Sequence, residues 1–182
     1  MLSGCITAEP QRVRAAAIVP YGPVLLIGDS ILVGARDYGD LEQELIDAGW
    51  EPEILAESGR SVLWAIEQIE AREHVPRHVV VELGTNPGSD LGTFPDDVQT
   101  LVGLLVERGA ERVEWIPPHH ADPERYAEKA RALIDAADDT LSILDWPGVL
   151  ALHPEWFSDG LHLTGEGYQE FATFVAATIG LA

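Results

Sequence analysis

Two short apolar runs constrain this chain more than anything else in it. Val24-Leu25-Leu26-Ile27 closes on Gly28, and Val79-Val80-Val81, within His78 to Leu83, closes on Gly84. Continuous apolar runs ended by a glycine are what strands buried on both faces of a parallel sheet require, because each must cover a helix layer above and below. Between and after them come further strand patterns at Glu53–Ala56, Arg112–Ile116 and Leu141–Leu144. Helical patterns alternate with these. One follows Ser30 with Leu32, Leu41, Leu45 and Ile46 as its apolar positions. A second carries Val62, Leu63, Ile66 and Ile69 behind a candidate cap at Ser61. A third starts at Pro95-Asp96, shows Leu101, Leu104 and Leu105, and closes at Gly109. A fourth runs from Asp122-Pro123-Glu124 to about Ala137, and the last carries Tyr168, Phe171, Phe174 and Val175 behind Thr164. Trp146 to Gly160 reads as an irregular loop.

Strands and helices in strict alternation give a three-layer α/β/α, flavodoxin-like sandwich around a five-stranded parallel sheet, with 2-1-3-4-5 as the expected strand order. That order makes the first and third strands neighbours. The loops after Gly28, Glu57 and Gly84 then share one crevice at the C-terminal edge of the sheet, where ligands bind in open α/β folds.

Composition narrows the partners. The chain of 182 residues has 31 acidic and 11 basic residues, a net charge of −20, and Lys129 is its only lysine. A surface that acidic repels phosphate backbones and argues against nucleic-acid binding. The single cysteine, Cys5, leaves no intramolecular disulfide and no cysteine-cluster metal site. No apolar run reaches the roughly 18 residues of a transmembrane helix. Residues 1–20 are expected to form a loosely ordered tail and 21–182 the folded domain. Leu2-Ser3-Gly4-Cys5 resembles the cleavage box of a bacterial lipoprotein, without the charged and apolar regions that should precede it. The expectation is a soluble chain, placed in the cell envelope or secreted if Met1 is internal to a longer precursor.

The crevice loops carry chemistry. Ser30 falls between a strand end and a helix start, where it could be a helix cap or a nucleophile. Asp159-Gly160-Leu161-His162 can present a carboxylate and an imidazole together, the base and orienting group that a serine nucleophile needs. The N–H groups of Ser30 and Gly59 and the side-chain amide of Asn86 are suitable donors to the oxyanion of a tetrahedral intermediate. Asn86-Pro87 is also a turn former in its own right. Arg60 suits either a carbohydrate contact or a solvated surface. His119-His120 lie after the fourth strand as crevice wall, with no third ligand spaced for a metal. Trp146, Trp156 and Phe157 flank the last motif and suit a pocket lining or a core.

Taken together these motifs resemble the SGNH hydrolases, the GDSL esterase/lipase superfamily. Gly28-Asp29-Ser30-Ile31 is similar to the first block, Gly59 to the second, Gly84-Thr85-Asn86 to the third and Asp159-Gly160-Leu161-His162 to the last, in the family's order. The resemblance implies a cofactor-free and metal-free serine esterase acting on a small-molecule or glycan ester. Ser30 would be the nucleophile, His162 the base and Asp159 its orienting partner, with Ser30, Gly59 and Asn86 as the oxyanion hole. Pro87 stands where the family often has Asp, and Ile31 where it often has Leu, which bears on loop shape. The pairing of Gly59-Arg60-Ser61 with Gly84-Thr85-Asn86 also resembles cell-wall O-acetyltransferase catalytic domains. That likeness implies an alternative, transfer of the acyl group to a glycan hydroxyl. A third reading is a catalytically silent carbohydrate-binding domain that keeps the fold.

Overall fold

A computed structural model describes residues 21–88 and 92–181. The expected tail, Cys5 included, lies outside the described residues. The sheet has five parallel strands in the order β2-β1-β3-β4-β5. They are β1 (Gly22–Gly28), β2 (Trp50–Ala56), β3 (His78–Glu82), β4 (Arg112–Ile116) and β5 (Leu141–Ile143). The helices are α1 (Ser30–Tyr38), α2 (Leu41–Ala48), α3 (Val62–Glu70), α4 (Phe94–Glu107), α5 (Ala127–Ala136), α6 (Trp146–Leu150) and α7 (Gly165–Thr178).

The period-2 pleat of β1 sorts its side chains into two cores. Val24 and Leu26 join Leu32, Leu41, Leu45, Trp146 and Phe171 on the face covered by α1, α2, α6 and α7. Leu25 and Ile27 join Val62, Ile69, Phe94, Leu101 and Trp115 on the face covered by α3, α4 and α5. Each such side chain, fully buried, contributes about 1.5–3 kcal/mol of transfer free energy. Burial on both faces is the reason the run shows no alternation.

Several local expectations give way to tertiary context. The segment after Ser30 is two helices, because Gly39 and the left-handed Asp40 (φ 53°) turn the chain between Tyr38 and Leu41. Ile46 then faces solvent at 47% exposure rather than the core. Pro52 does not precede the second strand but lies within it. β2 is an edge strand, where a missing N–H is tolerated on the open side. Ser61 precedes α3 without a side-chain capping bond, and Leu63 is 45% exposed. The stretch from Trp146 to Gly160 is not irregular throughout. It holds α6, capped by Asp145 through Gly148 N–H at 2.9 Å, and a 3-10 turn at Pro154–Trp156. The fourth helical pattern likewise begins as a 3-10 turn, Pro123–Tyr126, before α5.

One packing detail aligns the two ends of the site. Gly34 on α1 faces Tyr168 on α7, where an added Cβ would stand 2.1 Å from the ring carbon Cζ. Only glycine admits so close an approach. α1 begins at Ser30, and α7 follows the turn that carries His162.

Candidate active site

β1 delivers Gly28 to the sheet edge, and the chain turns into α1 through Asp29. The Asp29 side chain caps the helix by accepting from Ile31 N–H at 3.0 Å. Ser30 opens that helix, so its own amide has no intrahelical acceptor. Its hydroxyl lies 3.1 Å from His162 Nε2, across 132 residues of sequence.

His162 sits on a compact turn. An antiparallel bridge between Phe157 and Leu163 closes it, and Ser158 N–H donates to His162 C=O at 2.8 Å. Within the turn Asp159 Oδ1 accepts from the amides of Leu161 (3.0 Å) and His162 (2.8 Å), which leaves Oδ2 for His162 Nδ1 at 2.9 Å. A carboxylate on Nδ1 fixes the tautomer in which Nδ1 carries hydrogen and Nε2 is free to accept from Ser30. The His162 imidazole, with the two amides, holds the Asp159 carboxyl down at about 2. Gly160 C=O accepts from Ala121 N–H at 2.7 Å and so pins the turn to the loop after β4.

The remaining crevice loops converge as the strand order requires. Gly59 adopts φ 79°, a conformation that favours glycine, with open space where a side chain would be. Asn86 Nδ2 donates to Asp29 Oδ2 at 2.8 Å and to the Arg60 carbonyl at 3.0 Å. The amide therefore joins the second and third loops to the turn below Ser30. α5 and the 3-10 turn before it brace the third loop, with Tyr126 O–H donating to Thr85 C=O at 3.1 Å and Lys129 Nζ to Gly84 C=O at 2.6 Å. The structure thus brings Ser30, His162 and Asp159 into one relay and places Asn86 against the loop that carries Gly59.

Other candidates fall outside the relay. The Arg60 guanidinium pairs with Glu57, and its contribution to the site is its backbone carbonyl. His119 is buried, and burial lowers its pKa to about 4, so the ring is neutral at physiological pH. His120 lines a cavity of about 240 Å³ with Pro118, Ala121, Tyr126, Pro147 and Phe157. Trp146 and Trp156 are core residues, stacked at 5.9 Å, and Phe157 alone of the three aromatics reaches that cavity. Among the described residues no group of His, Cys, Asp and Glu could hold a metal ion, and no helix is long and apolar enough to cross a membrane.

Two acidic groups at the site have no role assigned by the motifs, although Asp29 stands within the first of them. Asp29 and Glu82 are both fully buried beneath Ser30. The only sequence signal for Glu82 is a charge closing an otherwise apolar run, Val79-Val80-Val81-Glu82-Leu83.

No family model matches the sequence, and no curated protein matches it. Solved structures do match the fold. The C-terminal catalytic domain of peptidoglycan O-acetyltransferase A (OatA) from Streptococcus pneumoniae, solved with a methylsulfonyl adduct, is 24% identical with a TM-score of 0.69, over 88% of this chain and 92% of that one. TesA is 20% identical with a TM-score of 0.69, over 87% and 98%. The acetylxylan esterase Axe2 from Geobacillus stearothermophilus is 20% identical with a TM-score of 0.64, over 90% and 96%. These are SGNH-type proteins, and this chain shares their α/β fold. The chain described here has the fold of the SGNH hydrolases.

Proposed function

We propose that this protein is a serine ester hydrolase that works through an acyl-enzyme on Ser30, with short acyl groups, O-acetyl on a carbohydrate among them, as its substrates. The observation that carries the reading is the relay itself, Ser30 Oγ to His162 Nε2 at 3.1 Å and His162 Nδ1 to Asp159 at 2.9 Å. In the first step Ser30 Oγ attacks the ester carbonyl carbon while its proton passes to His162 Nε2, and Asp159 stabilises the imidazolium. The oxyanion would be met by the amides of Ser30 and Gly59 and by the Asn86 side chain. Asn86 has two N–H bonds. One stays on Asp29, and the other leaves the Arg60 carbonyl for the oxyanion, a contact stronger in the transition state than in the ground state. The C–O bond then breaks, the alcohol departs with the proton from His162, and water repeats the sequence on the acyl-Ser30.

The acetyl and carbohydrate elements rest on the likeness to a peptidoglycan O-acetyltransferase domain and to acetylxylan esterases. The first of these supports a second reading, in which a glycan hydroxyl takes the place of water. A silent binding domain would have no use for an intact relay.

The test is covalent labelling by an organophosphonate together with turnover of p-nitrophenyl esters of graded chain length. Labelling at Ser30 and a Ser30→Ala variant slower by about 10⁴-fold or more in kcat are expected. Turnover that survives the substitution removes Ser30 from the mechanism. Mass spectrometry of added oligosaccharides separates the two readings, since only transfer leaves an acylated sugar.

A further inference from the structure

Two carboxyl groups face one another in the core below the nucleophile. The register of β1 and β3 sets Gly28 beside Glu82, and a Cβ at Gly28 would stand 3.1 Å from Glu82 C=O. Asp29, the next residue, is thereby enclosed beside the Glu82 side chain, and each carboxyl raises the cost of ionising the pair. Neither group is exposed. Two carboxylates so placed in a low-dielectric interior cannot both be ionised.

The surroundings decide which one keeps its proton. Asp29 accepts from Ile31 N–H at 3.0 Å, from Asn86 Nδ2 at 2.8 Å and from the Thr85 hydroxyl. All three favour its anion. Among the described residues no N–H or O–H closes a full bond on either Glu82 oxygen, the Asp29 and Leu32 amides being only turned toward it. Burial, then the Asp29 charge, hold Glu82 well above the usual carboxylate range. Burial also raises Asp29, against the opposing pull of its donors. The other titratable groups that bear on the pair come from α7 and the turn before it. Tyr168 is held neutral by burial and by the fields of Glu82, Asp159 and Asp29, and His162 and Asp159 lie beyond Ser30.

We infer that Glu82 is a positioning residue: it donates its carboxyl hydrogen to Asp29, and the bonded pair holds the Asn86 amide and the Ser30 turn where the reaction needs them. The inference rests on the reading of Ser30 as nucleophile. Its logic is that Asp29 is the hub. It caps α1 beside Ser30 and anchors one N–H of Asn86, and a hub with an unpaired anion next to it would be pushed off both.

Glu82→Gln and Glu82→Leu test this. The glutamine amide donates to Asp29 as the acid does and cannot ionise, whereas leucine fills the space and donates nothing. Glu82→Gln is expected within about 3-fold of wild-type kcat at pH 7, and Glu82→Leu about 10–100-fold lower with KM changed less than about 3-fold. A second readout needs no substrate. Because the folded group titrates above its unfolded value of about 4.3, its stabilisation is complete below that pH and is lost as pH rises through the folded value. The Tm of wild type should therefore match that of Glu82→Gln near pH 4 and fall progressively below it toward pH 8.

Parallel Tm profiles from pH 4 to 8 would overturn the shared proton, and that comparison stands even if Glu82→Leu does not fold. Equal kcat in wild type and both variants, with Ser30 still labelled by the organophosphonate, would overturn the positioning role alone. Absence of labelling and turnover in the wild type would instead remove the esterase reading, and the positioning role with it.

Discussion

Ser30 stands on a floor of buried polar groups, whereas His162 hangs from a turn that solvent reaches. Beneath the serine, Asp29 and Glu82 are wholly enclosed, and Asp29 is tied to Thr85 and Asn86. On the other side the His162 and Asp159 side chains are 40% and 58% exposed, and most of the bonds that hold them lie within five residues. The floor draws on three strands and their loops, so its geometry is part of the fold's stability. The turn is a local device set on top of that fold. Damage to the two sides should therefore register differently, on stability and rate together for the floor and on rate alone for the turn.

The largest effect that sharpens this contrast is expected from Asp159→Asn. Asparagine can still accept from the Leu161 and His162 amides, but it no longer offers an anion to His162 Nδ1–H. A fall of about 10³–10⁴-fold in kcat is expected. The Tm should barely move, because the group is exposed and water screens it. Its depressed titration makes a small stabilisation that is present above about pH 4 and lost as pH falls through about 2. Asp159 therefore stays ionised through any practical assay. A His162→Ala variant that keeps wild-type turnover would break the assignment of the base proposed above.

Asn86→Ala should come next, at about 10²–10³-fold in kcat with little change in KM. Unlike the turn variant, it should also lower Tm, by roughly 4–10 °C, since a hydrogen bond to a buried charge is lost. Asn86→Asp should be at least as harmful, because it sets a second carboxyl against Asp29. A variant that loses Tm and keeps kcat would leave Asn86 in the floor and take it out of the oxyanion hole.

The smallest effect is expected from Gly59→Ala. Its φ of 79° strains any other residue by about 1–2 kcal/mol, and no neighbour obstructs the methyl group. Tm should drop by roughly 2–8 °C with kcat within about 5-fold, as the amide keeps its direction. A loss of rate as large as that of Asn86→Ala would show that this loop moves with the floor.

Most of the architecture is legible in the chain because the strands are buried on both faces and so announce themselves as unbroken apolar runs. What escapes the pattern is set by neighbours distant in sequence. Pro52 is permitted inside β2 only because that strand lies at the sheet's edge. Ile46 fits the apolar stripe of a continuous helix, and the turn at Gly39-Asp40 rotates it outward. The short helix α6 has too few turns to establish a period. Of the site, the motif order points to Ser30, Asp159 and His162, and the geometry brings those three together. Glu82 is hidden for a physical reason. A carboxyl at a strand end ordinarily reads as a solvated boundary, and only the pairing of β1 with β3 encloses it.

The close seat of Tyr168 against Gly34 has a consequence in time. It docks α7 on the helix that begins with Ser30, and just past α7 the Gly180 N–H fastens to buried Glu114 at 3.0 Å. Ser30 leaves the ribosome before His162, which follows 132 residues later. A contact of such long range is among the last a folding chain can close, since the loop between must first lose its freedom. Until α7 settles, Ser30 has no imidazole beside it, and a nascent or half-folded chain holds its hydroxyl as an ordinary alcohol.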